Sequence, residues 1–176
     1  MMFTQTPFHR GAVFAFLFRM MALLAIVLPA FAFGQTAPLQ LTRSAPVVEA
    51  WPGVTILRDP DNRLDAASVI ARVTEFERPR TAYATLGMQP GTTWVRIPVA
   101  VAPDAPGGWV MQIDFALLDE VDVHLVSNAG LRHVASLGRM QQPGGENLRS
   151  RVPGTGLRLA PGQHYAGLLR GCAVGA

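Results

Sequence analysis

Short runs of alternating apolar residues, each bounded by glycine, proline or asparagine, make up most of the chain after residue 46. The clearest of these runs lie at residues 54–57, 94–101, 109–115, 121–126 and 131–137. An apolar residue at every second position is typical of a strand with one buried face. Strands that recur about every 8 to 12 residues, with turns between them, favour an antiparallel sandwich. We therefore expect an all-β fold.

One segment has the periodicity of a helix instead. Val69, Ile70 and Val73 recur at the spacing of one helix face, and Asp65 precedes them where an N-cap residue would stand. We expect a short helix over residues 66–73, which would be the only helix of any length in the exported part of the chain.

Two prolines set expectations about the sheets. Pro98 has no N–H to donate to a ladder, so the strand at 94–101 should lie at a sheet edge or carry a bulge. Pro161, which is followed by glycine, should turn the chain between residues 157–159 and 164–169. We expect these last two segments to pair as a final hairpin.

Residues 1–34 have the pattern of a secretory signal peptide. Arg10 and Arg19 precede an apolar run at 20–28. Ala32 and Gly34 then supply the small side chains that signal peptidase accepts before a cut at Gln35. A second acceptable cut lies two residues earlier. The alternative is an uncleaved membrane anchor, although an arginine interrupts the apolar stretch that would span the bilayer. Either alternative predicts export, to the periplasm.

Residues 35–46 are small and polar without periodicity, which predicts a linker before a domain at 47–176.

Composition excludes several partners and chemistries. Two of the 15 basic residues lie in the leader, and the thirteen arginines that remain form no basic run among 12 acidic residues. A nucleic-acid partner is therefore not expected. Cys172 is the only cysteine, so the chain forms no internal disulfide, CxxC pair or thiolate zinc cluster.

The motifs of the common enzyme classes do not occur in the sequence. There is no GxSxG, HExxH, Walker loop or GxGxxG. The acidic residues at 119, 120 and 122 are clustered on one segment, whereas a glycosidase needs two carboxyl groups that face each other across a cleft. We expect neither catalytic activity nor a cofactor, and a secreted hydrolase is the least favoured alternative.

Asp122 and His124 share one face of a predicted strand, and His133 lies on the next strand along the chain. A two-residue or four-residue hairpin loop would place His133 opposite His124, close enough to share a metal ion. A three-residue loop with Gly130 in the left-handed region suits the sequence better. That register separates the histidines to opposite faces, so no metal site is expected.

Aromatic side chains provide a further candidate for ligand binding. Trp94 and Trp109 each open an apolar run, so we expect both to pack in the core. Trp51 stands beside a proline and a glycine and is expected to be exposed, where it could stack on a sugar ring. The candidate ligand-binding residues are therefore Trp51, Asp122 and His124.

An ordered set of motifs resembles one known family. The motifs are LRDP at 57–60, LG at 86–87, WVRI at 94–97, WV at 109–110, LLDEVDVHL at 117–125, RVP at 151–153, LRL at 157–159 and PG at 161–162. Their order and spacing resemble the second type of extracellular sensory domain of bacterial seven-transmembrane receptors with diverse intracellular signalling modules (7TMR-DISM extracellular 2). The resemblance runs from about Val47 to Leu169.

The resemblance implies a jelly-roll-like sandwich, related to carbohydrate-binding modules, outside the inner membrane. In the family, seven transmembrane helices and a cytoplasmic output module follow the domain. The implied role is ligand sensing, with a small molecule or carbohydrate as ligand. No ligand-contact motif can be carried over to this sequence, and His124 stands where the family often has tyrosine.

The C-terminal residues depart from the family pattern. After residue 170 the sequence is small and non-alternating, where the family continues the strand towards its membrane helices. This departure predicts a truncation or frameshift near residue 166 that removes a last strand. We therefore interpret the chain as a periplasmic ligand-sensing module without its transmembrane and output parts. A free periplasmic carbohydrate-binding protein is the alternative.

Overall fold

The computed structural model describes residues 36–80, 90–114, 118–141, 147–148 and 150–172. Within them, one α-helix, α1, spans Ala66–Ala71. The predicted signal peptide at 1–34 lies outside the described residues. The strands are β1 Leu39–Leu41, β2 Thr55–Asp59, β3 Thr92–Val101, β4 Gly108–Gln112, β5 Val121–Ser127, β6 Gly130–Leu137, β7 Gly154–Arg158 and β8 His164–Cys172.

The strands form two sheets, and the expectation of an all-β sandwich is confirmed. The large sheet has the order β1-β3-β8-β5-β6, with β2 also paired to β3, and the small sheet consists of β4 and β7. The β1–β3 pair is parallel, whereas the other pairs of named strands are antiparallel. The fold is therefore antiparallel with one parallel exception, which the alternation pattern did not indicate.

Strand β1 lies within residues 35–46, the segment interpreted from composition as a linker. Leu41 is only 9% exposed and belongs to the core. A Cβ at Gly53 would meet the side chain of Leu39, so the glycine allows this strand to pack closely. The segment is thus paired to the sheet, and its short, small-residue composition hid that pairing.

The expectation that Pro98 marks an edge strand or a bulge is wrong, because β3 is an interior strand with continuous pairing to β8. Pairing with β2 ends at Arg96, and pairing with β1 begins at Val99. The amide of Ala102 donates to the Leu41 carbonyl on the β1 side. Because N–H directions alternate along a strand, the nitrogen of Pro98 faces the same side. It points into the gap between β2 and β1, where no ladder hydrogen bond is lost.

The predicted final hairpin is also wrong. Strand β7 pairs with β4 in the small sheet, whereas β8 lies between β3 and β5 in the large sheet. Pro161 and Gly162 do turn the chain, but the turn carries it from one sheet to the other. Local turn chemistry is the same in both cases, so the sequence pattern could not separate them.

The core fills both faces of the large sheet. On the inner face, the buried side chains of Val123, Leu137 and Leu169 pack against Met111 of the small sheet. On the outer face, the almost fully buried Trp94 packs with Leu168, Val69 and Phe76. Trp94 is thus a core residue as expected, and Trp109 packs half-buried against the core.

Helix α1 covers part of the outer face. The Asp65 carboxylate accepts a hydrogen bond of 2.8 Å from the Ser68 amide, which confirms the predicted N-cap. The helix ends at Ala71, two residues earlier than expected, and a 3-10 turn at Val73–Glu75 follows. None of the helices in the described segments is long and apolar enough to span a bilayer.

Candidate functional site

Three neighbouring strands bring polar side chains together on the outer face of the large sheet. Asp122 on β5 lies opposite Ser136 on β6 and opposite Arg170 on β8. His124 follows two residues later on the same face of β5 and is partly exposed. We call the side chains of Asp122, His124, His133, Ser136 and Arg170 the polar cluster.

The prediction that His124 and His133 lie on opposite faces is wrong, and a β-bulge is the reason. Val123 pairs with Ala135, but His124 pairs with His133, so Val134 is an extra residue in β6. Val134 packs against the inner core clusters together with Ala135. Two successive side chains therefore turn inward, and His133 is moved to the outer face.

The β5–β6 hairpin loop is one residue shorter than expected, and the bulge in β6 contains the additional residue. Ser127 pairs with Gly130, which leaves the two-residue loop that the sequence analysis disfavoured. Gly130 does have a positive φ, 109°, as its sequence position suggested. The Ser127 hydroxyl accepts a hydrogen bond of 3.2 Å from the Ala129 amide and supports the tight loop. The residue expected in the loop is accommodated as the bulge at Val134.

Asp122 is the centre of the polar cluster. The Ser136 hydroxyl donates a hydrogen bond of 2.6 Å to its Oδ1. His133 Nε2 lies 3.7 Å from the same oxygen, and Arg170 Nη1 lies 3.8 Å from Oδ2. The Asp122 side chain is 24% exposed, so ligand atoms can still reach it. The carboxylate is held in place by its neighbours while it keeps acceptor capacity for a ligand.

The pKa of His124 is lower than that of an ordinary imidazole. Burial is the main cause and the charge interactions with His133 and Arg170 lower it further, whereas Asp122 and a backbone hydrogen bond with Leu168 partly oppose them. Its ring lies 5.1 Å from the His133 ring and 6.3 Å from the Trp94 ring, measured between centroids. Its Nδ1 is buried and has no hydrogen-bond partner among the described residues. A ring in this position can donate or accept one hydrogen bond at its other nitrogen.

The polar cluster does not have the arrangement of a metal centre. Among the described residues, no group of three or more His, Cys, Asp or Glu side chains could hold a metal ion. The bulge therefore brings the two histidines to the face that carries Asp122, but these three side chains do not form a group that could hold a metal ion.

Trp51 lies apart from the polar cluster. It opens a 3-10 turn at Trp51–Gly53, just before β2, and it is half-buried. Strands β3 and β8 separate β2 from β5. At about 4.8 Å per strand, β2 lies about 14 Å from the strand that carries Asp122 and His124. The structure thus brings Asp122 and His124 together and leaves Trp51 next to β2, three strand spacings away.

A groove adjoins the polar cluster on the outer face. Its helix side consists of Val69, Ile70, Val73 and Phe76. Its sheet side consists of Val126, Ala166, Leu168 and Arg96. Leu168 pairs directly with both Arg96 and His124, so it lies between the groove and the cluster. We call these eight residues the apolar groove; its volume is about 180 Å³.

Ser136, Arg170 and Arg96 are site residues that the sequence pattern did not indicate. Ser136 and Arg96 lie at polar positions of alternating strands, which is the normal signal for a solvated side chain, and Arg170 lies on a strand whose sequence does not alternate. Strand order decides which of them face Asp122 or the groove, and one-dimensional spacing does not contain that order.

Comparison with known families agrees with this architecture. The sequence model of the family described as 7TMR-DISM extracellular 2 matches residues 52–171. No curated protein matches the chain. The family match includes every strand from β2 to β7, helix α1 and all but the last residue of β8. The chain therefore belongs to the 7TMR-DISM extracellular 2 family, the extracellular sensory modules of membrane receptors.

Proposed function

We propose that the chain is the periplasmic ligand-sensing module of a bacterial receptor, and that it binds a small molecule or carbohydrate at the polar cluster. The proposal includes a signal peptide at 1–34 and a sensory domain that consists of residues 47–176 together with strand β1, with no catalytic role. The single observation that carries it is the arrangement of donors and acceptors around Asp122 on the outer face.

The chemistry of the polar cluster suits a hydroxyl-bearing ligand. The Asp122 carboxylate accepts hydrogen bonds and the Arg170 guanidinium donates them. A neutral His124 ring donates a hydrogen bond in one tautomer and accepts one in the other. A sugar hydroxyl both donates and accepts, so paired groups of this kind can hold it in one orientation. Asp122 and Arg170 contribute most, because hydrogen bonds to charged groups are the stronger ones.

The strands that carry the cluster support its role in sensing. Strands β5 and β8 are interior strands, so the positions of Asp122 and Arg170 are fixed by pairing on both sides. A ligand that prefers one arrangement of this sheet would shift the population of receptor states towards it. The transmembrane helices and the output module of the receptor would convert that shift into a signal. Trp51 remains a separate candidate for stacking on a sugar ring.

Binding of defined sugars tests the proposal. The full chain is titrated with glucose, N-acetylglucosamine, maltose and cellobiose, while thermal unfolding and calorimetric binding are measured. We expect at least one sugar to raise Tm, and Asp122→Asn to weaken its binding by about tenfold or more. Asp104→Asn, an exposed position outside the cluster, is the matched control and should bind like the parent.

Two results would contradict the proposal. One is the absence of saturable binding for all four sugars. The other is equal affinity of the Asp122→Asn and Asp104→Asn variants, which would place the bound sugar away from the polar cluster.

A further inference from the structure

Arg96 is a half-buried cation at the wall of an otherwise apolar groove. In the part of the chain that the structure describes, no carboxylate lies within ion-pair distance of its guanidinium. Burial lowers the pKa of Arg96. A guanidinium that is partly desolvated and unpaired binds an anion more strongly than one in water does.

The rest of the groove is built for an apolar group. Val69 and Leu168, which are 0% and 2% exposed, form its floor, and Ile70 and Val73 leave more than a third of their surface uncovered at its rim. A cavity of about 150 Å³ lined by aliphatic and aromatic side chains is large enough for benzene. The apolar groove, at about 180 Å³, therefore accommodates an apolar group of six or seven non-hydrogen atoms.

We infer that the apolar groove is a second binding site, and that its ligand is an organic carboxylate with a compact apolar body. The carboxylate pairs with the Arg96 guanidinium through two parallel hydrogen bonds, and the body lies between Ile70, Val73 and Leu168. Arginine suits this role because its planar fork matches the two oxygens of a carboxylate. The site is distinct from the polar cluster, whose carboxylate Asp122 would repel such a ligand.

The experiment uses the full chain and four probes: benzoate, hexanoate, benzamide and acetate. We expect benzoate or hexanoate to bind saturably at millimolar concentration, as measured by calorimetry or ligand-observed NMR. Benzamide has the same ring without the charge, and acetate has the charge without the body. Both should bind about tenfold or more weakly, because each lacks one of the two interactions. The ratio of benzoate to hexanoate affinity tells an aromatic from an aliphatic body.

Variants locate the binding. Arg96→Gln should weaken benzoate or hexanoate binding by about tenfold or more, whereas Arg132→Gln, at an exposed position on β6, should leave it unchanged. Asp122→Asn should not weaken it, so this site and the sugar site fail or succeed independently. Equal affinity for benzoate and benzamide in the unaltered chain would overturn the inference, as would the absence of carboxylate binding or an Arg96→Gln variant that binds like the parent.

Discussion

His124 and His133 face each other across the β5–β6 pair, with ring centroids 5.1 Å apart and ring planes at 70°. The bulge at Val134 creates this contact, since without it the two rings would lie on opposite faces of the sheet. The pair closes one side of the polar cluster, and Asp122 lies beside it. Because these groups are so close, the pKa of His124 depends on both His133 and Asp122.

The first prediction concerns the pKa of His124 in variants of its neighbours. His133→Gln removes a positive charge that lowers this pKa, so the pKa should rise. Asp122→Asn removes a negative charge that raises it, so the pKa should fall. NMR titration of the imidazole signals measures both shifts. Shifts in the same direction in the two variants would contradict the described arrangement.

The second prediction is a loss of stability at mildly acidic pH. The pKa of His124 is lower in the folded state than the ordinary value of 6.5, so the unfolded state binds more protons as the pH falls below about 6.5. Stability is then lost as the pH falls towards the folded-state pKa. Urea unfolding between pH 8 and pH 5 should show a smaller decrease in His124→Gln than in the parent. His164→Gln, at an exposed position, is the control and should follow the parent.

The third prediction compares two glycines that both have positive φ, Gly138 at 126° and Gly130 at 109°. A Cβ at Gly138 would collide with the backbone carbonyl of Asp119, whereas a Cβ at Gly130 would meet no atom among the described residues. Gly130→Ala should cost about 1 kcal/mol of backbone strain. Gly138→Ala should cost about 3 kcal/mol, since overpacking adds to the strain. Equal urea midpoints for the two variants would contradict this prediction, because they would show that the turn at Gly138 adjusts to the added Cβ at no extra cost.

The fourth prediction concerns the attachment of helix α1 to the outer face. Val69 is fully buried between the helix and the sheet, and Val47 is 87% exposed. Val69→Ala should lower the free energy of unfolding by about 2 kcal/mol, through lost burial and the cavity it leaves. Val47→Ala removes the same atoms from a solvated position and should change it by less than about 0.5 kcal/mol. Equal urea midpoints for the two variants would contradict the packing of Val69 between helix α1 and the sheet.

The elements of this fold follow from local sequence patterns, but their arrangement does not. Alternation predicted β5 and β6 correctly, and Asp65 predicted the start of α1. The prediction from Pro98 was wrong because an interior strand accepts a proline where its neighbouring strands leave a gap. The gap between β2 and β1 is a property of the tertiary structure. The bulge at Val134 is likewise decided by packing on the inner face, since loop chemistry alone allowed several registers.

The candidate site was predictable in part for the same reason. Asp122 and His124 were found because i and i+2 positions share a strand face whatever the sheet order. Arg170 joins them only because β8 inserts between β3 and β5, and the predicted final hairpin would have placed it elsewhere. Arg96 gains its groove only when α1 packs on the outer face.

Mapping of ligand contacts residue by residue shows whether a sugar binds at the polar cluster. The ¹⁵N-labelled full chain is titrated with glucose, N-acetylglucosamine, maltose and cellobiose, and amide shifts are followed residue by residue. We expect saturable shifts around Asp122, Ser136 and Arg170 on β5, β6 and β8, with the small sheet of β4 and β7 unchanged. Shifts confined to β4 and β7, or no shifts with any of the four sugars, would contradict the account.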